Sequence, residues 1–318
     1  MTKNDLRIVY MGTPEFAVAS LDALIQNEYH VVGVVTMPDK PAGRGYKVQF
    51  SAIKAYALAH NLPLLQPEKL KDAHFLEELK ALKADLQIVV AFRMLPEVVW
   101  NMPPMGTFNL HGSLLPQYRG AAPINWAIIN GEEETGVTTF FLQHAIDTGD
   151  LILQNKIQIE AHDNAETIHD KLMVLGAKTV LDTVEKIIQG EVSTTPQTHT
   201  DTLKLAPKIF KETCQINWNQ SCTAIHNFVR GLSPYPTAWS ELLHGDNKLV
   251  MKIFETKKEI IPHSLPVGSI QSDGKKTFKV AVNDGFIHIV SLQVPGKKRL
   301  NISDWLCGFN PTNDLIMR

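Results

Sequence analysis

Hydrophobic and polar positions divide this chain into two styles. Over the first 190 residues, short apolar runs alternate with stretches of helical period. Residues 6–11 read as a buried strand that stops at Gly12-Thr13-Pro14. Glu15–Gln26 follows, with Phe16, Ala19, Leu21, Ala23, Leu24 and Ile25 mostly at helical spacing. Residues 31–36 form a second strand, and Ser51 is placed to cap a helix running to about His60. A helix over 68–83 precedes a strand at 86–91, and 107–111 and 136–142 are further short buried strands. Residues 164–189 make one long helix, with Ile168, Leu172, Leu175, Val180, Val184 and Ile187 along one face. Apolar strands alternating with amphipathic helices predict an α/β domain built on a doubly wound, mainly parallel sheet. Ligands of such sheets sit beyond the carboxyl ends of the strands, which is where Gly12, Asn109 and His111 fall.

After Gly190 the pattern changes. Residues 191–202 are rich in Ser, Thr, Gln and Pro and carry no apolar period, which predicts a linker. Beyond it come short strands at 238–243, 249–254, 266–271, 278–282 and 286–292. The turn signals Gly245-Asp246, Asp273-Gly274 and Asp284-Gly285 separate them, and a helix spans about 221–230. Five strands and one helix suit a small C-terminal β-barrel of the OB type. The expected division is 1–190 for an α/β domain, 191–208 for a linker and 209–318 for the barrel domain.

Composition narrows the class. The 318 residues are 44% hydrophobic and 20% charged, the balance of a soluble two-domain protein. No apolar run approaches the roughly 18 to 20 residues that span a bilayer, and no signal peptide is expected ahead of the first strand. Cys214, Cys222 and Cys307 form no CxxC pair, so neither a disulfide framework nor a zinc cluster is expected and a cytoplasmic location fits. The net charge of −2 gives the whole chain no nucleic-acid signature. The halves differ, however: 13 Lys/Arg and 9 Asp/Glu follow position 208, leaving 18 and 24 before it. An acidic front of −6 and a basic back of +4 suit a catalytic domain joined to a polyanion-binding one.

The densest polar chemistry lies at Asn109-Leu-His-Gly-Ser-Leu-Leu-Pro116, with Arg119-Gly-Ala-Ala-Pro123 close behind. On an extended strand Asn109 and His111 project to the same side. An amide donor beside an imidazole can hold a developing oxyanion next to a proton carrier. Asp147-Thr-Gly-Asp150, in an evident turn, offers a carboxylate to orient or charge the histidine. A histidine at a strand end is also commonly a hydrogen-bonded structural residue, and Asp-Thr-Gly-Asp is commonly only a turn. Gly12-Thr13-Pro14 is not GxGxxG and no P-loop is present, so nucleotide binding is not supported. The histidines lack metal-ligand spacing, and no metal is expected.

Taken together, Asn109-x-His111-x-Ser-Leu-Leu-Pro116, Arg119 to Ile124 and Asp147-Thr-Gly-Asp150 resemble the signatures of the folate-dependent formyltransferases. The Met11-Gly-Thr-Pro-Glu-Phe16 start and the Pro38-Asp-Lys-Pro-Ala-Gly-Arg-Gly45 segment resemble the branch acting on methionyl-tRNA, as do Pro234-Tyr-Pro236 and Gly296-Lys-Lys298. The resemblance implies a Rossmann-like catalytic domain, a linker, and an OB-like barrel that binds tRNA. It implies 10-formyltetrahydrofolate as donor and the α-amine of methionyl initiator tRNA as acceptor. Asn109, His111 and Asp147 occupy the positions of the catalytic trio, and Ser113, Leu114, Leu115 and Pro116 those of the folate-binding segment. Arg44 lies in the loop that reaches the acceptor end of the tRNA, and Lys40 and Lys47 flank it; Lys297 and Lys298 are the barrel's counterpart. A departure occurs at Ala91-Phe-Arg-Met-Leu-Pro96, where the family often has Ala-Tyr-Gly, which leaves the donor pocket open in detail.

The trio alone does not distinguish a tRNA acceptor from a small amine, nor transfer from hydrolysis of the donor. The basic segments and the barrel favour tRNA, since a small acceptor needs neither. A non-catalytic RNA-binding protein fits the barrel but not the acidic front domain. The expected protein is a monomer.

Overall fold

The structure, a computed structural model, describes residues 2–42, 47–198, 202–312 and 314–318, with backbone only at 40–42 and 47–48. Its residues group into two compact units that are not contiguous along the chain. The first takes Met1–Gly120, Thr135–Ile157 and His169–Leu205, and the second takes Ala121–Glu134, Gln158–Ile168 and Ala206–Arg318.

In order along the first stretch come β1 (Ile8–Gly12), α1 (Glu15–Gln26), β2 (Val31–Val35), β3 (Lys40–Ala42), β4 (Lys47–Gln49), α2 (Ala52–Ala59) and β5 (Leu64–Leu65). They are followed by α3 (Ala73–Ala81), β6 (Leu86–Val90), α4 (Glu97–Trp100), β7 (Thr107–His111), β8 (Arg119–Gly120), α5 (Pro123–Ile129), β9 (Glu134–Phe141), β10 (Leu151–Gln158) and α6 (Ala165–Gln189). The seven-stranded sheet has the order β10-β9-β7-β6-β1-β2-β5. From β5 to β7 every pairing is parallel, and β9 turns antiparallel against β7. The sequence reading of a mainly parallel α/β sheet is therefore met. β1, β2 and β6 are buried along their whole length, and apart from Gln87 in β6 they hold no hydrophilic side chain, as strands covered on both faces require. Gly12 ends β1 because α1 packs close: an added Cβ would lie 2.7 Å from that of Ala17. Its role is helix–strand packing.

Capping decides where the helices start. The Ser51 side chain accepts the amide of Lys54, and α2 then runs to its C-cap at His60. The helix expected over 68–83 is shorter, because the Asp72 carboxylate accepts the amides of His74 and Phe75 and starts α3 at Ala73. The strand β10 went unpredicted; its edge position leaves its residues only partly buried, so no apolar run marks it. The expected linker is not free chain either. Thr195 forms an antiparallel bridge with Leu151, and Gln197 beyond it is buried.

The C-terminal sheet is antiparallel. Its strands, after β11 (Leu205–Ala206) and α7 (Cys222–Leu232), are β12 (Ala238–His244), β13 (Asn247–Ile260), β14 (Ile270–Ser272), β15 (Phe278–Val282), β16 (Gly285–Gln293), β17 (Leu300–Asn301) and β18 (Ile316–Met317), with α8 (Ile302–Leu306) before the last. The order is β14-β15-β16-β13-β12-β18, with β17 also on β16. Ile316 bridges back to Ser269, just ahead of β14, so the two ends of the sheet meet and a nearly closed barrel results. Gly268 permits that closure: at φ +86°, an added Cβ would sit 2.5 Å from the Met317 carbonyl. β13 is far longer than the strand expected at 249–254, because bulges between Ile253 and Thr256 reset its alternation there. The barrel core gathers Ile225, Val229, Leu232, Met251, Ile253, Phe278, Val280, Ile287 and Trp305.

Candidate active site

β7 lies between parallel β6 and antiparallel β9, and its last residues reach the carboxyl end of the parallel strands. Asn109 and His111 sit two residues apart on it and so share a side of the sheet. The Asn109 amide makes no hydrogen bond to any described residue. His111, 7% exposed, has both ring nitrogens faced. Its Nε2 lies 2.9 Å from the Tyr118 carbonyl oxygen, and its Nδ1 lies 3.9 Å from Oδ2 of Asp147. A carbonyl oxygen only accepts, so Nε2 carries the hydrogen. Tyr118 therefore fixes the ring, and Nδ1 is the nitrogen left to exchange a proton. At 3.9 Å Asp147 faces Nδ1 by charge rather than through a hydrogen bond, the second of the two roles, orienting or charging, that its residue type offered.

Asp147 is itself held. It takes the left-handed conformation at φ +54°, which Asp tolerates better than most residues. Its Oδ2 accepts the Gly120 amide at 3.1 Å, and its main-chain carbonyl accepts Nε2 of Gln197 at 2.9 Å. Gly149, two residues on, admits no side chain, since an added Cβ would stand 1.6 Å from the Phe141 carbonyl oxygen. Burial pulls the pKa of Arg119 down and the Asp147 charge opposes it.

The segment after His111 is pinned by β9 and β10. Ser113 is fully buried, and its hydroxyl donates to the Gln117 carbonyl at 2.7 Å. Thr138 Oγ1 donates to the Ser113 carbonyl and accepts the Leu115 amide, while Gln154 Nε2 donates to the Leu115 carbonyl. Leu115 is buried too, so of the four residues expected to meet folate only Leu114 and Pro116 keep partly open side chains. At the departing segment, Ala91 adopts φ +47°. The Arg93 guanidinium donates to the Pro67 and Glu68 carbonyls, and Met94 is 73% exposed.

The basic residues are less gathered. Arg44 lies outside the described residues, and Lys40 and Lys47 belong to the hairpin of β3 and β4. Lys297 and Lys298 are exposed in the turn after β16. Among the described residues no group of three or more His, Cys, Asp or Glu is placed to hold a metal, and no helix is long and apolar enough to cross a membrane. Cavities of about 370 Å³ beside α3 and about 540 Å³ beside α7 contain none of the trio.

Sequence reasoning missed Tyr118, Thr138, Gln154 and Gln197. Tyr118 acts through its backbone, which leaves no residue-type signal. Gln197 sat in a stretch whose polar composition read as solvated.

Residues 6–184 match the formyl transferase family and residues 208–310 the formyl transferase C-terminal domain. The chain is 60% identical over 322 residues to the methionyl-tRNA formyltransferase of Bacteroides fragilis, covering 100% of this chain and 99% of that one. To the methionyl-tRNA formyltransferase of Bacteroides thetaiotaomicron it is 62% identical over 313 residues, 97% of each chain. Among solved structures it is similar to the sugar 3N-formyl transferase WlaRD, in the presence of dTDP and 5-N-formyl-THF. The TM-score is 0.64 at 20% identity, over 92% of this chain and 99% of that one. It is also similar to HypX from Aquifex aeolicus in complex with tetrahydrofolic acid, with TM-score 0.62 at 19% identity, over 95% of this chain and 47% of that one. At those identities the two structures bear on the fold alone.

Proposed function

The chain belongs to the formyl transferase family in both its N-terminal and its C-terminal parts, and from that premise we propose that it moves the formyl group of 10-formyltetrahydrofolate onto the α-amine of methionyl initiator tRNA. The observation that carries the acceptor is the end-to-end match, barrel included, to methionyl-tRNA formyltransferases at 60% and 62% identity. The catalytic trio alone would not separate this acceptor from a small amine.

The chemistry assigned to each residue follows from its surroundings. The donor supplies an electrophilic formyl carbon and a nitrogen leaving group. Asn109, whose amide has no partner among the described residues, donates to the formyl oxygen as negative charge builds there. His111 takes the proton of the attacking amine through Nδ1, since Nε2 is engaged by Tyr118, and returns it to the leaving nitrogen as the carbonyl re-forms. Asp147, 3.9 Å from Nδ1, sets its negative charge opposite the ring while it carries that proton. Leu114, Pro116 and the pinned main chain of 113–116 give the donor an ordered apolar surface, and exposed Met94 is a further contact for it. The folate-bearing region is residues 1–190, joined by 191–208 to the tRNA-binding region 209–318. Lys40, Arg44 and Lys47 serve the acceptor end, and Lys297 and Lys298 serve the backbone phosphates. The enzyme is taken to work as a monomer in the cytoplasm.

Mass-detected formyl transfer tests this reading. Formylmethionyl-tRNA is expected only when 10-formyltetrahydrofolate and charged initiator tRNA are both present. Donor breakdown at the same rate without any amine would make the chain a hydrolase. Formylation of free amines at equal efficiency would make tRNA incidental.

A further inference from the structure

Gln197 is 8% exposed, in a segment, Glu191 to Thr198, whose other residues are polar apart from Val192 and Pro196. A buried amide is costly unless its donors and acceptor are paired, and here all are. Oε1 accepts Nε and Nη2 of Arg119 at 3.0 and 2.6 Å. Nε2 donates to the carbonyls of Asp147 at 2.9 Å and Gly149 at 2.7 Å.

The backbone explains why this residue arrives here. Thr195 and Leu151 exchange both amide hydrogen bonds, at 2.9 and 3.0 Å, in an antiparallel bridge. Two residues further in opposite directions, Gln197 comes to lie across from Gly149, which has no side chain to block it. A closed ring results. Gln197 holds the Asp147 carbonyl and the Arg119 guanidinium; Arg119 is bonded in sequence to Gly120; and the Gly120 amide returns to the Asp147 carboxylate at 3.1 Å. That carboxylate faces His111.

We infer that Gln197 is a positioning residue for formyl transfer, fixing the left-handed Asp147 and the Arg119–Gly120 strand so that the carboxylate stays opposite Nδ1 of His111. The inference rests on the function proposed above. Gln197 reaches the chemistry only through Asp147 and Arg119, so its loss acts on turnover, not on substrate affinity.

The test compares the parent chain with Gln197→Met, which keeps length and loses all four hydrogen bonds, and Gln197→Glu, which keeps the Arg119 contact but sets a carboxylate oxygen against two carbonyls. Formyl transfer to charged initiator tRNA is followed from pH 5.5 to 9, alongside thermal melting. In both variants kcat is expected to fall about 10- to 100-fold, the range for a displaced catalytic group, while KM for tRNA and donor stays within about threefold. Turnover within twofold of the parent, or a loss of kcat/KM carried by KM instead of kcat, would overturn the proposal. So would failure of both variants to fold, which would make Gln197 structural only. An inactive parent is a different failure, since it removes the formyl-transfer reading itself and this inference with it.

Discussion

The two compact units handle polar residues in opposite ways. In the first, Asn109, His111, Asp147, Arg119 and Gln197 are drawn into the sheet end, and all but Asn109 are bound to named partners within it. In the second, Lys297 and Lys298 stand exposed, as do Lys248, Lys252, Lys257 and Lys258 of β13, while Met251, Ile253 and Thr256 of that strand are buried. A buried, connected site depends on geometry, so removing one member is felt strongly and locally. An exposed cationic surface depends on summed charge, so its losses are small, additive and dependent on salt. The connected site of the first unit is therefore expected to set turnover, and the second unit to add affinity for the tRNA without touching turnover.

The largest effect should come from Asn109→Ala. Losing the amide donor is expected to lower kcat about 10²- to 10³-fold, or roughly 3 to 4 kcal/mol, with the melting temperature little changed because this amide has no partner among the described residues. Near-normal turnover would remove Asn109 from the chemistry and break the contrast at its strongest point.

The next effect belongs to the second unit and touches stability alone. Burial, with Arg230 and Lys258 adding repulsion, pulls the His226 pKa from 6.5 down to about 4. The folded ring is neutral where the unfolded ring is protonated, so between these values the unfolded state binds more protons. Stability is thus full above about pH 6.5 and declines as pH falls toward 4. For a half-buried ring reached by solvent the contribution is about 1 to 2 kcal/mol. His226→Gln should flatten part of the decline in melting temperature on acidification without altering kcat at neutral pH. Equal acid slopes in parent and variant would refute this assignment.

The smallest expected effect is that of Lys297→Ala with Lys298→Ala. Affinity for charged tRNA should drop a few-fold, and the slope of log affinity against log salt should fall by about 1.5 to 2. A loss of turnover instead would tie the barrel to the chemistry and blur the contrast.

Legibility in the sequence followed the same division. The parallel strands were readable because burial on both faces leaves apolar runs, as in Val31–Val35 and, but for Gln87, Leu86–Val90. Asn109, His111 and Asp147 were readable because their residue types carry the chemistry. What holds them was not. Tyr118 contributes a carbonyl that any residue has, and Asp147 and Gln197 meet through a bridge between Leu151 and Thr195 that no local period announces. Barrel closure by Ile316 and Ser269 was hidden for a related reason: a two-residue strand is too short to show alternation.

The most direct measurement is a salt series of formyl transfer to charged initiator tRNA by the unaltered chain, with donor saturating. KM for the tRNA should rise steeply with salt while kcat holds within about twofold, since phosphate contacts are screened and the His111–Asp147 site is buried. A kcat that falls with salt while KM stays flat would contradict the division of labour between the two units.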